Sequence, residues 1–239
     1  GDATTSIPTR PPALPLGDLA DRMNAAWANV TSYRAHYASA NPAALQPRPG
    51  ATPVALAASI EVTEEVASPT RRRQTFTGAG ANDHEAIIDG PTLYVRGPIA
   101  AAILPGTPPD AWLAFPAAAI SPESEAGQIL ASFAMPSQSP LAAVGDNLRP
   151  QGLRDLGPVE VAGRACRAWG AADTTEIGAR LDITIAVDGD SLPCKLETRL
   201  GTELASSVTY DSFGEEITID IPAAAKAVTP PAASPSAHD

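Results

Sequence analysis

The sequence predicts an α+β fold in which an antiparallel sheet of eight to eleven strands dominates and two or three helices pack on it. Three observations predict this. Apolar and polar residues alternate over 177–187 and again near Tyr33, the period of a half-buried strand. Hairpin turn residues, Asp89-Gly90 and Asp188-Gly189-Asp190-Ser191, separate such runs. Apolar residues at helical spacing are confined to two stretches, one near Leu19 and one after Ser121.

The elements follow in order. Leu19, Met23, Ala26, Trp27 and Val30 make one apolar stripe, so a helix is expected over 18–31 with Asp18 as N-cap and Asp21 in its first turn. Tyr33, Ala35 and Tyr37 then alternate with Arg34, His36 and Ala38 as a strand. Residues 41–53 are punctuated by proline and form a loop. Strands are expected from Leu56 to Val66, from Arg71 to Phe76, and as a hairpin over 84–89 and 92–96. The three arginines 71–73 read as a solvated strand start or an ion-pair site, being few and set in an acidic chain.

Pro98 to Pro109 reads as an irregular link and 112–115 as a short apolar piece. Ser121-Pro122-Glu123 is a helix start, with Ile129, Leu130 and Phe133 as its apolar face and Pro136 as its end. A second short helix is expected from Ser139-Pro140 to Gly145, so 98–150 forms a helical insertion. The last third is the most strongly β. Runs 153–156 and 159–161 flank Gly157, and Cys166 to Gly170, Ile177 to Val187, Leu192 to Leu200 and Leu204 to Tyr210 are strands. Ile217 to Ile221 is expected to complete one more hairpin after Phe213-Gly214.

Composition bounds function. The 239 residues are enough to bury about 70% of the unfolded chain's surface. Sixteen basic against 27 acidic groups give a net charge of −11, which argues against nucleic acid as a partner and weakens adsorption to anionic lipid heads. No apolar run reaches bilayer-spanning length, and no signal-peptide pattern opens the chain, so an export signal would already have been removed. Residues 1–17 read as a Pro-rich disordered tether, 18–222 as one domain and 223–239 as a disordered tail.

Cys166 and Cys194 are the only thiols. His36, His84 and His238 offer no ligand spacing, so no metal is called for. A disulfide between neighbouring strands accounts for both cysteines, would add about 3–4 kcal/mol, and places the protein outside the cytosol; two buried free thiols are the alternative. No nucleophile elbow, zinc-protease motif, dinucleotide loop or phosphate loop occurs. Asp83-His84-Glu85 reads as a surface turn and the Asn29-Val30-Thr31 sequon as chance. Nothing requires an enzyme or a cofactor.

A sheet roofed by helices can enclose apolar volume. Leu19, Met23, Trp27, Ile129, Leu130 and Phe133 are the expected helix-side walls of a ligand pocket, with Leu181, Ile183 and Val187 opposite. Alanine runs at 100–102, 117–119 and 142–143 make small walls that leave a gap. The competing reading is that both surfaces bury each other as core.

Residues 152–221 carry a resemblance. Val159-Glu160-Val161-Ala162-Gly163, Cys166, Trp169, then Ile183 to Pro193, then Tyr210-Asp211-Ser212-Phe213-Gly214 and Ile217 to Pro222 follow one another in an order similar to the LolA/LolB-like superfamily of periplasmic lipoprotein carriers. Within it the chain resembles the mycobacterial-type envelope lipoproteins that carry lipids. Helix 18–31, Ile87 to Arg96 and Trp112 extend the likeness over 18–222. The resemblance implies a half-open antiparallel β-barrel of about eleven strands, plugged on its concave side by helices from 18–31 and 120–147. It also implies a lipid or acyl chain as ligand, a membrane surface or another envelope protein as partner, and an extracytoplasmic place. A lipidated cysteine upstream of Asp2 would anchor the chain. An envelope sensor or scaffold without lipid cargo is the alternative function.

Overall fold

The computed structural model describes residues 14–40, 59–78, 83–116, 152–174 and 180–228. In chain order these form β1 (Leu14–Pro15), α1 (Leu16–Trp27), β2 (Tyr33–Ala40), β3 (Ser59–Ser68), β4 (Arg71–Gly78), β5 (His84–Asp89), β6 (Thr92–Arg96), α2 (Pro98–Ile103) and β7 (Leu113–Pro116). There follow β8 (Gly152–Val161), β9 (Arg164–Thr174), β10 (Arg180–Val187), β11 (Pro193–Leu200), β12 (Glu203–Asp211) and β13 (Lys226–Ala227).

Among the described residues all the strands belong to one sheet in the order β1-β8-β9-β10-β11-β12-β2-β3-β4-β5-β6-β7-β13, which is not closed into a barrel. The eleven strands β2 to β12 pair only antiparallel with one another, as expected. The count rises to 13 because a two-residue strand sits at each edge, and β13 runs parallel to β7. The C-terminal meander thus lies beside the N-terminal one, joined where β12 pairs with β2.

Both helices pack on the same face. The apolar stripe of α1 runs Leu16, Leu19, Ala20 and Met23, and it meets Leu153, Ile185 and Val187 of β8 and β10. Twelve residues of helix extend about 18 Å, close to the roughly 19 Å from β8 to β12, so α1 crosses that half of the sheet. Ile99 and Ala100 of α2 cover Leu93, Val95, Leu113 and Phe115 of β6 and β7.

Several expectations need correction. The helix runs over Leu16–Trp27 and not 18–31, and Pro15 in place of Asp18 occupies its N-cap. Pro15 is extended with ψ 140°, and Leu16, 1% exposed, is drawn into the core, so the helix starts two residues earlier. Leu14 and Pro15 pair with Leu153 and Gly152, inside the stretch expected to be tether. Residues 1–13 and 229–239 of the expected tether and tail lie outside the described residues, as do 120–147 with their two expected helices.

Pro98 opens a helix in the expected irregular link, because a proline at the first position needs no hydrogen-bonding N–H and Ile99 has a core to fill. Asp83-His84-Glu85 is not a turn: His84 and Glu85 begin β5. Ile217 to Ile221 joins no strand. Ile217 and Ile219 are buried against Ile87 on the face opposite the helices, with Ile221, Tyr94 and Trp112 beside them. An extended segment laid across a sheet alternates like a strand added to its edge, so periodicity cannot separate the two.

That opposite face carries a chain of ion pairs. Arg34 pairs with Glu65, Glu65 with Arg73, Arg73 with Glu85, and Glu85 with Arg96, which stands over the Trp112 ring. The expected ion-pair role of the arginines therefore holds for Arg71, bonded to Asp89, and for Arg73 on this side of the sheet, while Arg72 faces the helices and meets the charge of Glu64 there. On β11 the Lys195 ammonium holds the Glu197 carboxyl below its ordinary range, with burial opposing and Arg199 assisting. A carboxyl depressed by folding adds stability above its unfolded pKa and loses it as pH falls through the folded value. Glu197→Gln should therefore cost roughly 0.5–1 kcal/mol at neutral pH. The difference from wild type should vanish in acid, as read by urea unfolding across a pH series.

Candidate functional site

Residues paired across antiparallel strands share a face, so the register traces rows of side chains across the helical face. One row joins Tyr33, Val66, Arg72, Ile88, Leu93 and Phe115. The next joins Tyr210, Ala35, Glu64, Gln74, Ala86, Val95 and Leu113. A third joins Ile185, Leu196, Val208, Tyr37, Val62 and Phe76, and a fourth Ile183, Thr198, Ser206 and Ser39.

Burial falls along this series. The first two rows are buried except at Ile88 and Gln74. From Leu196 to Phe76 the third row is half-buried, and so is the fourth. The helical face is thus sealed toward the turns at Pro69 and Gly90 and opens toward the other strand ends. The third row is an apolar stripe, Leu196, Val208, Tyr37, Val62 and Phe76, crossing five strands, about 19 Å, from the edge of the cluster under α1 at Leu196 to the edge of the cluster under α2 at Phe76.

A polar network borders the stripe on its sealed side. Glu64 is 3% exposed. It accepts hydrogen bonds from the Tyr33 hydroxyl at 3.0 Å, the Tyr37 hydroxyl at 3.1 Å and Gln74 Nε2 at 2.8 Å. Arg72, 9% exposed, supplies the opposite charge. Burial lowers the Arg72 pKa while Glu64 and the two tyrosines raise it. Burial, then the Glu64 charge, drives the Tyr37 phenol far up, so it stays a donor. Burial also raises Tyr210, against the hydrogen bond it makes with Tyr37. The Tyr37 and Tyr210 phenols therefore keep their protons near neutral pH, which suits binding and not proton transfer.

The expected pocket residues divide. Leu19 and Met23, 0% and 1% exposed, pack directly on Leu153 and Ile185 beneath α1. Trp27 is half-buried in an aromatic cluster, 4.8 Å from Tyr33 and 5.7 Å from Tyr210 between ring centroids. Leu181 and Ile183 share the helical face of β10 and are half-buried, and Val187 lies under α1. Ile129, Leu130 and Phe133 lie outside the described residues. A separate cleft of about 370 Å³ opens where the C-terminal end of α1 meets the β10–β11 turn, lined by Ala26, Val30, Leu192 and Phe213.

Solved structures similar in chain path include the lipoprotein LppX of Mycobacterium tuberculosis, 14% identical, covering 86% of this chain and 98% of that one at a TM-score of 0.47. LprF of Mycobacterium bovis is 13% identical, covering 87% and 96% at 0.49. MucB in complex with MucA is 16% identical, covering 90% and 62% at 0.42. No family model matches the chain, and no curated protein matches it.

Sequence reasoning missed Glu64, Gln74 and Arg72. Two signals pointed to them. Glu64 stands between Val62 and Val66 at strand period, and Arg72 and Gln74 share that period with Phe76. Among the described residues no group of three or more His, Cys, Asp and Glu side chains is placed to hold a metal ion. Among the same residues no helix is long and apolar enough to cross a membrane.

Cys166 and Cys194 are joined by a disulfide with Cα atoms 6.6 Å apart, which decides between the two readings of the thiols. It ties β9 to the start of β11 across β10 on the face opposite the helices, among Val161, Ala168 and Ala186.

Proposed function

We propose that the apolar stripe on the helical face is the floor of a groove that binds the chain of a lipid or acylated molecule, and that the protein works outside the cytoplasm as a non-enzymatic carrier. The single observation behind this reading is that the row Leu196, Val208, Tyr37, Val62 and Phe76 is apolar yet only half-buried on the helix-bearing face. An apolar row on the helix-bearing side of a sheet gains about 0.8 kcal/mol for each CH₂ a ligand buries on it. In this reading Trp27, Leu181 and Ile183 flank the groove, while Leu19 and Met23 hold α1 in place at its edge. Ile129, Leu130 and Phe133 remain the proposed opposing wall. The disulfide supports an oxidising compartment. Anchoring through an upstream lipidated cysteine is part of the same proposal.

The uncharged probe N-phenylnaphthylamine should bind the full chain and brighten, and long-chain lipids should displace it. Val62→Asp puts a carboxylate in the middle of the stripe and should weaken the probe at least about tenfold, because an unpaired charge must be desolvated. Undiminished binding by Val62→Asp would place the site elsewhere. A protein that binds neither probe nor lipid would leave the scaffold or sensor function in its place.

A further inference from the structure

The groove's sealed border is polar, yet its charges cancel. Glu64 and Arg72 are both buried on the helical face, in adjacent rows, with opposite signs. The two formal charges cancel each other, so neither is left over for an ionic ligand end. What the border does present is Gln74. It is half-buried on β4, two residues from Phe76 and thus at one end of the apolar stripe. Its Nε2 donates to Glu64 Oε1 at 2.8 Å, and that bond fixes which way the amide faces. Glu64 is itself held by Tyr33 and Tyr37, so the carboxamide stands on a rigid support. Among the described residues Glu64 is the hydrogen-bond partner of the Gln74 amide, which leaves one N–H and the carbonyl oxygen for another molecule. A donor and an acceptor side by side on one amide match a hydroxyl, which takes the N–H on its oxygen and gives its proton to the carbonyl.

We infer that Gln74, oriented by Glu64, is the specificity-determining residue for an uncharged, hydroxyl-bearing ligand end, with the attached chain lying along the stripe toward Leu196. This rests on the groove reading above and adds to it the chemical class of the ligand's polar end. An anionic or cationic end brought to the same border is stripped of water without gaining a counter-charge.

Displacement of N-phenylnaphthylamine by monomyristoylglycerol, myristate and myristyltrimethylammonium tests it, since the three share one chain and differ at the end. For the wild-type protein, monomyristoylglycerol should displace about tenfold more tightly than either ion, the worth of a pair of hydrogen bonds. In Gln74→Leu or Gln74→Met that ratio should fall to about one. Equal displacement by all three on the wild-type protein, or a ratio unchanged in a folded Gln74 variant, overturns the inference and leaves the groove standing. Absence of probe binding overturns both together. The wild-type comparison decides even where neither variant folds.

Discussion

Glu64→Leu should destabilise the protein by about 3–5 kcal/mol, the cost of removing one partner from a buried charged network. The carboxylate is 3% exposed and accepts from Tyr33, Tyr37 and Gln74. Without it those donors lose their acceptor, and Arg72, 9% exposed, keeps a buried charge with its counter-charge gone. Adding Arg72→Met to Glu64→Leu should recover most of the loss, since an apolar pair of similar volume in place of a buried ion pair is close to neutral. Urea unfolding of the two single variants and the double variant measures this. A loss under about 1 kcal/mol in Glu64→Leu would mean that water or a rearranged side chain reaches the donors, and that the network is not rigid.

The second large effect belongs to the disulfide. Cys166→Ser with Cys194→Ser should lower stability by about 3–4 kcal/mol, because a loop of about 29 residues is no longer closed in the unfolded chain. Cys166 is 7% and Cys194 0% exposed, so reduction of the wild-type protein should be slow under native conditions and fast in denaturant. The unfolding midpoint in reductant should then match that of the double variant. An equal midpoint with and without reductant would show that the cross-link does not bear on global stability.

How much of this was legible follows from what a strand's sequence encodes. Alternation states which residues share a face, and it located β2, β5, β6 and the strands of the last third to within a few residues. It does not state which face meets the helices. Ala186 alternates with Ile185 and Val187, yet all three are buried, Ala186 beside the disulfide and the others under α1. The Ile217 segment shows the same limit, since its period was read correctly and its place was not.

The candidate site was harder to read for a related reason. Glu64, Arg72 and Gln74 are polar residues in exposed-looking strands, and polar residues are mostly exposed. Only their common period with Val62, Val66 and Phe76 marks them as facing inward. Their partnership also needs β3 and β4 in register and Tyr33 and Tyr37 brought alongside on β2. The three strands are separated in the chain by turns and loops whose register the residues do not specify.

By itself the sequence determined the class of the fold, most strand positions, the hairpin turns and the absence of a catalytic motif, because each depends on residues close together in the chain. The tertiary structure alone decided which side of the sheet the helices cover, that two buried charges cancel there, and that Gln74 stands at the end of an apolar stripe. Those depend on the register between strands far apart in the chain, where a slip of one residue would turn every side chain to the other face.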